Sequence, residues 1–284
     1  MRARVPGSCG ELVQGLIQGE DFLITCPISW YSEVEVYLNK RDTKTTDSPK
    51  IIAAIYKTLE YFGENCEFSF SINSQLPVGK GMASSSADIS AACMATARAL
   101  NRDISIKTIE QIALSIEPTD GVFYEGIVAF GHVQGIINEH LGQAPAIKIM
   151  VIDTGGGIVD TLGFNQRQDL RALNEKKNEQ VLQAYALVKK GLEENDVASI
   201  GAGATISAIA NQIVLPKPNL QEIIEIAKAN GALGVNVAHS GTVVGLLFAS
   251  TLAVDWNKCR QEILALNNEF TYLGVVDLVD GGIK

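Results

Sequence analysis

One junction restricts this chain more than any other: a strand that turns through two glycines into a helix opening with three serines. The strand is Glu67 to Asn73, where Phe68, Phe70 and Ile72 share one face. Then comes Gln75-Leu76-Pro77-Val78-Gly79-Lys80-Gly81-Met82-Ala83-Ser84-Ser85-Ser86-Ala87-Asp88, and after it Ile89, Cys93, Ala97 and Leu100 at helical spacing. The first turn of a helix has N–H groups without intrahelical partners and the positive end of the macrodipole, a seat for phosphate. Gly79 and Gly81 let the backbone approach a bulky anion with no Cβ in the way. The hydroxyls of Ser84, Ser85 and Ser86 add donors and one candidate metal ligand. A capped helix after a tight turn accounts for one Ser and one Gly, but not for three and two. The junction therefore reads as a phosphate cradle. It is not a Walker A loop, because Gly81 rather than Ser or Thr follows Lys80, nor a dinucleotide fingerprint, because Ser84 stands where glycine is needed.

At 284 residues, 46% apolar and 19% charged, the chain suits two modest domains or one large one. A net charge of -9 argues against a nucleic-acid partner, yet poses no obstacle to a nucleotide held by local N–H groups and a metal ion. Five cysteines (Cys9, Cys26, Cys66, Cys93, Cys259) form an odd set with no Cys-x-x-Cys pair, which points away from a disulfide scaffold or zinc site and toward a reducing cytoplasm. The start, Met1-Arg2-Ala3-Arg4-Val5-Pro6, lacks the apolar region of a signal peptide, and no apolar run approaches the roughly 20 residues of a membrane helix. A cytoplasmic protein without membrane contact is expected, its oligomeric state open.

Val5 to Gly15 reads as two short extended pieces around glycine turns, followed by strands from Asp21 to Ile28 and Ser32 to Leu38. Asn39 to Pro49 is a polar loop, and Ser48-Pro49 starts a helix with Ile51, Ile55, Leu59 and Phe62 inward. A further helix begins at Ser105, turns Ile109, Ile112, Ala113 and Ile116 inward, and stops at Glu117-Pro118-Thr119-Asp120-Gly121. A carboxylate at the negative pole of a helix is mildly unfavourable, and a bound cation offsets that. Glu117 thus reads either as a solvated helix end or as a metal ligand. With a phosphate cradle upstream, two carboxylates are what phosphoryl transfer still lacks: one to hold Mg²⁺, one to orient or deprotonate an acceptor hydroxyl. Val128 to Ile137 reads as a hairpin, with His132 and His140 as hairpin or surface histidines. Ala146 to Asp153 is a near-continuous apolar strand. The division into residues 1–154 and 155–284 is placed at Thr154-Gly155-Gly156-Gly157. Helices follow over Gln168 to Glu194, Val197 to Ile213 and Asn219 to Asn230. Gly231 to Phe248 is a strand, a Ser-Gly turn and a strand; Asp255 to Asn267 is a helix and Thr271 to Leu278 a last strand. The mixed order indicates an α+β fold rather than a regular βαβ repeat.

Pro77 to Ala87 resembles the second motif of the GHMP kinases, the family of galactokinase and of homoserine, mevalonate and phosphomevalonate kinases. Val5-Pro6-Gly7-Ser8-Cys9-Gly10-Glu11-Leu12-Val13-Gln14-Gly15 resembles the first motif, with Ser8 where many relatives have lysine. Gly231 to Phe248 resembles the third, with His239 in place of a small residue and Thr242 in place of glycine or proline. Asp160-Thr161 resembles a position where threonine lies near the active site. The resemblance implies an N-terminal ribosomal-protein-S5-like domain that binds ATP and a C-terminal ferredoxin-like domain. It implies that Pro77, Val78, Gly79, Lys80, Gly81, Met82, Ala83, Ser84, Ser85 and Ser86 wrap the ATP phosphates and that Ser85 and Glu117 hold Mg²⁺. Asp120 is implied as catalytic base or substrate anchor, and Ser8, Glu11, Thr119 and Asp120 as contacts to a small-molecule acceptor. The N-terminal run and Ile116-Glu117-Pro118-Thr119-Asp120 agree best with the branch that phosphorylates the amino acid L-threonine for the corrinoid side arm; homoserine or another small alcohol is the alternative acceptor, and a nucleotide-binding regulator without turnover is the alternative outside catalysis.

Overall fold

Two long antiparallel strands, β1 (Arg2–Ile17) and β2 (Glu20–Leu38), carry the architecture. The structure, a computed structural model, describes residues 1–39, 48–157, 163–164 and 166–284. Most of the expected polar loop and the Asp160-Thr161 pair lie outside the described residues. Where the glycines of the N-terminal run suggest two pieces, β1 is one strand. Its glycines serve bulges rather than turns: the register against β2 shifts between Pro6 and Ser8, Ser8 and Glu11, and Glu11 and Val13. The bulges bend β1 over the phosphate loop, where Ser8 N–H donates to Met82 O at 3.0 Å and Gly10 N–H to Gly81 O at 3.2 Å. Gly10 has φ 55°, and a Cβ there would lie 2.5 Å from the Val237 carbonyl carbon, so only glycine fits this crossing. The expected pair of strands from residue 21 to 38 is likewise a single element.

Next come α1 (Pro49–Tyr61), β3 (Phe68–Ser74), α2 (Ser84–Ala99) and α3 (Ile106–Leu114). Ile51, Ile55 and Leu59 of α1 are buried as their spacing predicts, and Ser105 caps α3 by accepting from Thr108 N–H. Of the hairpin expected over Val128 to Ile137, the first strand is β4 (Ile127–Phe130), but its partner β5 (Asn138–Gly142) begins only after Ile137 and residues 131–137 form the connection; β6 (Ile147–Asp153) follows. The predicted helix from residue 168 to 194 is two helices, α4 (Leu170–Lys176) and α5 (Asn178–Glu194), broken at Lys177. Then α6 (Val197–Ala210), α7 (Leu220–Ala229), β7 (Gly234–Val237), β8 (Val243–Ala249), α8 (Trp256–Leu264) and β9 (Thr271–Asp277) complete the chain.

Among the described residues the strands form one sheet, in the order β5-β4-β2-β1-β7-β8-β6-β9 with β3 on β2. Helices pack against it rather than alternating with its strands, which makes the fold α+β. β6 ends at the division expected after residue 154, yet it pairs on both sides with strands from beyond it, β8 and β9. Its pleat feeds two cores: Ile149 and Val151 join the cluster of β1, β2, α1 and α2, while Met150 and Ile152 join that of α7, α8, β7 and β8. Burial on both faces explains why β6 reads as near-continuous apolar sequence, interrupted at Lys148.

Candidate active site

The cradle is built by left-handed backbone. Gly79, Gly81 and Ala83 have φ of 71°, 82° and 53°. For Ala83, which precedes the first helical residue of α2, that conformation costs on the order of 1 kcal/mol. It starts the helix abruptly, leaving the first-turn N–H groups without carbonyl partners in the helix. Two other segments grip the loop. Lys80 O accepts from Thr242 N–H at 3.0 Å and Val243 N–H at 3.1 Å, and a Cβ on Gly241 would lie 2.3 Å from Gly81 Cα. The turn before β8 thus lies on the phosphate loop, with β1 close on the other side.

A cleft of about 280 Å³ opens at this junction. Its wall includes Val78, Gly79, Gly81, Met82, Ala83, Ser84, Ser85 and Ser86 from the cradle, joined by Glu11, Lys50, Glu117, Asp120, His132, His239 and Ser240. Pro77 and Lys80 are not part of that wall. The Lys80 ammonium is held by Asp153 Oδ2 at 2.8 Å and Gly157 O at 3.0 Å, tying the loop to the end of β6.

Glu117 sits one turn past α3, its N–H donating to Ala113 O at 3.0 Å, and is only 3% exposed. It is not a solvated helix end. Ser85 Oγ donates to Glu117 Oε1, while Oε2 faces the Lys50 ammonium at 2.6 Å and accepts no well-directed hydrogen bond. A hydroxyl and a carboxylate are hard oxygen donors, and a cation already sits against this carboxylate, so the pair fits a magnesium ion. Asp120 is fixed by its backbone, whose N–H donates to Ser86 Oγ at 2.9 Å.

Glu11, Asp120 and His239 bring one ligand-capable atom each within 4.8 Å of one another. Glu11 Oε2 accepts from His239 N–H at 2.7 Å, and Oε1 lies 2.9 Å from His239 Nδ1. Burial pushes the Asp120 carboxyl up to about 7; a charged His239 pulls it down, and Glu11 and Glu117 push it further up. Burial works to lower His239, but the charge and hydrogen bond of Glu11, with the charge of Asp120, outweigh it and raise the imidazole above its ordinary value. Glu11 and Asp120 thus favour positive charge on the imidazole between them.

Of the expected acceptor contacts, Glu11 and Asp120 reach the cleft; Ser8 and Thr119 do not line it. Ser8 is buried, its hydroxyl donating to Gly10 O at 2.6 Å and accepting from Cys26 N–H at 3.2 Å, so it holds the β1 bulge. Thr119 is 1% exposed and its N–H donates to His132 O at 2.9 Å. His132 is no surface histidine: it is buried, and its ring stands edge-on to His239 at 5.1 Å. Lys50, His132 and Ser240 carry no local sequence signal. His239 has one, as the imidazole in place of a small residue within the Ser-Gly turn motif.

Two family models match in chain order: the GHMP kinases N terminal domain over residues 50–126 and the GHMP kinases C terminal over residues 188–258. An L-threonine kinase from Salmonella typhimurium is 33% identical, the match covering 86% of this chain and 82% of that one. Another from Citrobacter freundii is 32% identical, covering 99% of this chain and 98% of the relative. Among solved structures, a homoserine kinase from Cytophaga hutchinsonii superposes with a TM-score of 0.73 at 18% identity, covering 100% of this chain and 96% of the other. The mevalonate kinase of Methanococcus jannaschii superposes with a TM-score of 0.70 at 15% identity, covering 98% of each chain. The two solved structures share the fold, and the closer sequence relatives settle the lineage: this chain belongs to the GHMP kinase family.

Proposed function

We propose that this chain transfers the γ-phosphoryl group of ATP to the hydroxyl of L-threonine, giving O-phospho-L-threonine and ADP. The observation that carries the acceptor is the pair of relatives named L-threonine kinase, about one third identical over most of both chains. The arrangement of Ser85, Glu117 and Asp120 around one cradle supports the reaction class. The product would serve the corrinoid side arm, as the sequence resemblance implies.

In this reading the free N–H groups of Ser84, Ser85 and Ser86 hold phosphate oxygens, and Ser85 Oγ with the Glu117 carboxylate holds Mg²⁺. When bound, the metal neutralises charge on the β- and γ-phosphates. Asp120 orients the threonine hydroxyl and takes its proton as the new O–P bond forms and the bond to the ADP oxygen breaks. A charged His239, fixed by Glu11, opposes the burial that raises the Asp120 carboxyl to about 7 and so favours the ionised form that role needs. Residues 1–154 act as the ATP-binding half and 155–284 as the half that supplies His239 and Ser240.

The test is a panel of alcohols with Mg-ATP, namely L-threonine, L-serine, L-homoserine, mevalonate and galactose, with identification of the phosphorylated product. L-threonine is expected to have the highest kcat/KM. Serine lacks one methyl, worth about 10- to 200-fold in a hydrophobic pocket. Homoserine carries its hydroxyl one carbon further out, which displaces the attacking oxygen. A kcat/KM for homoserine equal to or above that for threonine overturns the acceptor and leaves the kinase reading standing.

A further inference from the structure

Lys177, at the break between α4 and α5, is 2% exposed, yet its ammonium is bonded only by uncharged oxygens, Gln14 O at 3.2 Å and Asn211 Oδ1 at 2.7 Å. No ion pair to it is found among the described residues, and burial pulls its pKa down to about 7. It lines a second cavity, of about 20 Å³, which shares His132 and His239 with the active-site cleft. Two more groups on that wall lack partners. Asn211 gives its Oδ1 to Lys177, leaving Nδ2 a buried donor with none. Gln14 donates through Nε2 to Val237 O at 3.3 Å, leaving Oε1 a buried acceptor with none. Gln14 and Asn211 are 3% and 2% exposed, so their partner is a water or a ligand held inside the cavity rather than bulk solvent. Asp21 lies on the same wall, touched at 3.4 Å by Asn174 Nδ2, and burial raises its carboxyl above the ordinary value.

Native proteins leave few buried polar groups unpaired, and each one calls for a partner. Here a cation and an amide donor share one small cavity with an amide acceptor and a carboxylate. A group with a single charge answers half of that set; a zwitterion answers all of it. We propose that this second cavity is the head-group subsite for an α-amino acid, with Lys177 Nζ and Asn211 Nδ2 taking the α-carboxylate and Gln14 Oε1 and Asp21 taking the α-ammonium. The subsite rests on the reading of the acceptor as an amino acid. The free room is that of about one water molecule, so seating the head group requires the wall side chains to give way, and the acceptor's side chain then extends past His132 and His239 into the larger cleft. That direction carries a side-chain hydroxyl toward Asp120. Sugars and mevalonate, lacking the zwitterion, leave buried charges unanswered, and this makes the subsite a filter for acceptor class.

The test combines calorimetric binding of L-threonine with steady-state kinetics on L-threonine, its methyl ester and N-acetyl-L-threonine. The ester lacks the carboxylate and the N-acetyl compound lacks the ammonium. Wild type is expected to bind each analogue about 10- to 100-fold more weakly than L-threonine. Asn211→Leu and Lys177→Met are expected to lose a similar factor for L-threonine, lose little further on the ester, and keep the wild-type Kd for ATP. Asp21→Asn is expected to do the same toward the N-acetyl compound. Lys177→Met removes ties between α5, β1 and the turn after α6; if it does not fold, Asn211→Leu and Asp21→Asn decide the matter. Folded variants that bind L-threonine as wild type does, or keep the full wild-type discrimination against the analogues, overturn the subsite while wild-type turnover of threonine leaves the acceptor standing. A wild-type enzyme that ignores threonine and phosphorylates a non-amino-acid alcohol overturns both.

Discussion

Replacing Gly241 by alanine tests whether the turn before β8 holds the phosphate loop in place. An added Cβ would lie 2.3 Å from Gly81 N, Gly81 Cα and Lys80 O, all of them backbone atoms. No rotamer change relieves such a contact. Carbon needs about 3.5 Å from a non-bonded neighbour, so the loop and the turn must part by roughly 1 Å. Parting loosens the bonds from Thr242 N–H and Val243 N–H to Lys80 O, and the bond from the buried Lys217 ammonium to Gly241 O at 2.6 Å. Overpacking of this kind costs about 1–3 kcal/mol of stability, and at roughly 2–4 °C per kcal/mol the melting temperature should fall by several degrees. The functional loss should exceed the loss of stability, because a misplacement of about 1 Å in a positioning element costs on the order of 10²-fold in rate. The assay is differential scanning fluorimetry together with kcat and KM for ATP, and calorimetric binding of L-threonine as control. L-threonine binding should stay near wild type, since neither Gly81 nor Gly241 lines the second cavity. Gly241→Ala with wild-type melting temperature and wild-type KM for ATP would refute the claim that this turn sets the loop.

Ser85→Ala should weaken ATP binding in the presence of Mg²⁺ and remove most turnover, by a few kcal/mol of transition-state stabilisation; an unchanged rate across a Mg²⁺ titration counts against the cradle. Glu117→Gln should be rescued in part by excess Mg²⁺, whereas Asp120→Asn should lower kcat and leave ATP affinity nearly intact, both read from steady-state kinetics at several Mg²⁺ concentrations. Lys50→Met should lower the Mg²⁺ concentration for half-maximal activity, because the ammonium 2.6 Å from Glu117 Oε2 competes for that carboxylate; a higher requirement would reverse the assignment. Asp120 has a folded pKa of about 7 against an ordinary 3.8, so its burial erodes stability as pH rises from about 4 to 7 and the full cost is present above 7. Asp120→Asn should therefore melt higher than wild type at pH 8, by an amount set by about 1–3 kcal/mol after water screening, and match it near pH 4; a variant destabilised at pH 8 refutes the raised pKa.

What was legible in the sequence is what is local in the chain. Gly79 to Ser86 is contiguous, and its glycines and serines bear directly on what a helix start can bind. Glu117 was legible because Pro118 ends α3 at a known place. Its partner Ser85 is 32 residues away, and the family resemblance, not spacing, paired them. Lys50 and His132 were illegible: one is an ordinary residue in the first turn of α1, the other a solitary imidazole after β4, and only tertiary packing brings them to one wall. Ser8 was misleading because its place in the motif suggests a ligand contact, while its hydroxyl stitches the β1 bulge. Gly7, Gly10 and Gly15 suggested turns since turn and bulge draw on the same conformational freedom; pairing with β2 decides between them. The break at Lys177 has no proline or glycine to announce it. It follows from a buried ammonium that reaches Gln14 and Asn211, a contact across 163 residues in one case and 34 in the other.

The distribution of charge explains how a cleft with three carboxylates can admit a polyanion. Glu11, Glu117 and Asp120 all face the space that Mg-ATP would enter. Two nearby lysines do little to offset them: Lys80 is paired with Asp153, and Lys217 points its ammonium at Gly241 O. Lys50 faces Glu117, and His239, whose positive charge the neighbouring carboxylates favour, lies beside Glu11 and Asp120. Among the described residues, attraction for phosphate in the proposed reaction is left to short-range sources, the N–H groups and dipole at the start of α2 and the divalent ion that Ser85 and Glu117 would hold. Free ATP, with its full negative charge and no metal, meets repulsion that the N–H groups only partly offset. The affinity for the nucleotide should accordingly climb steeply with Mg²⁺ concentration, and the slope should shrink when Glu117 loses its charge.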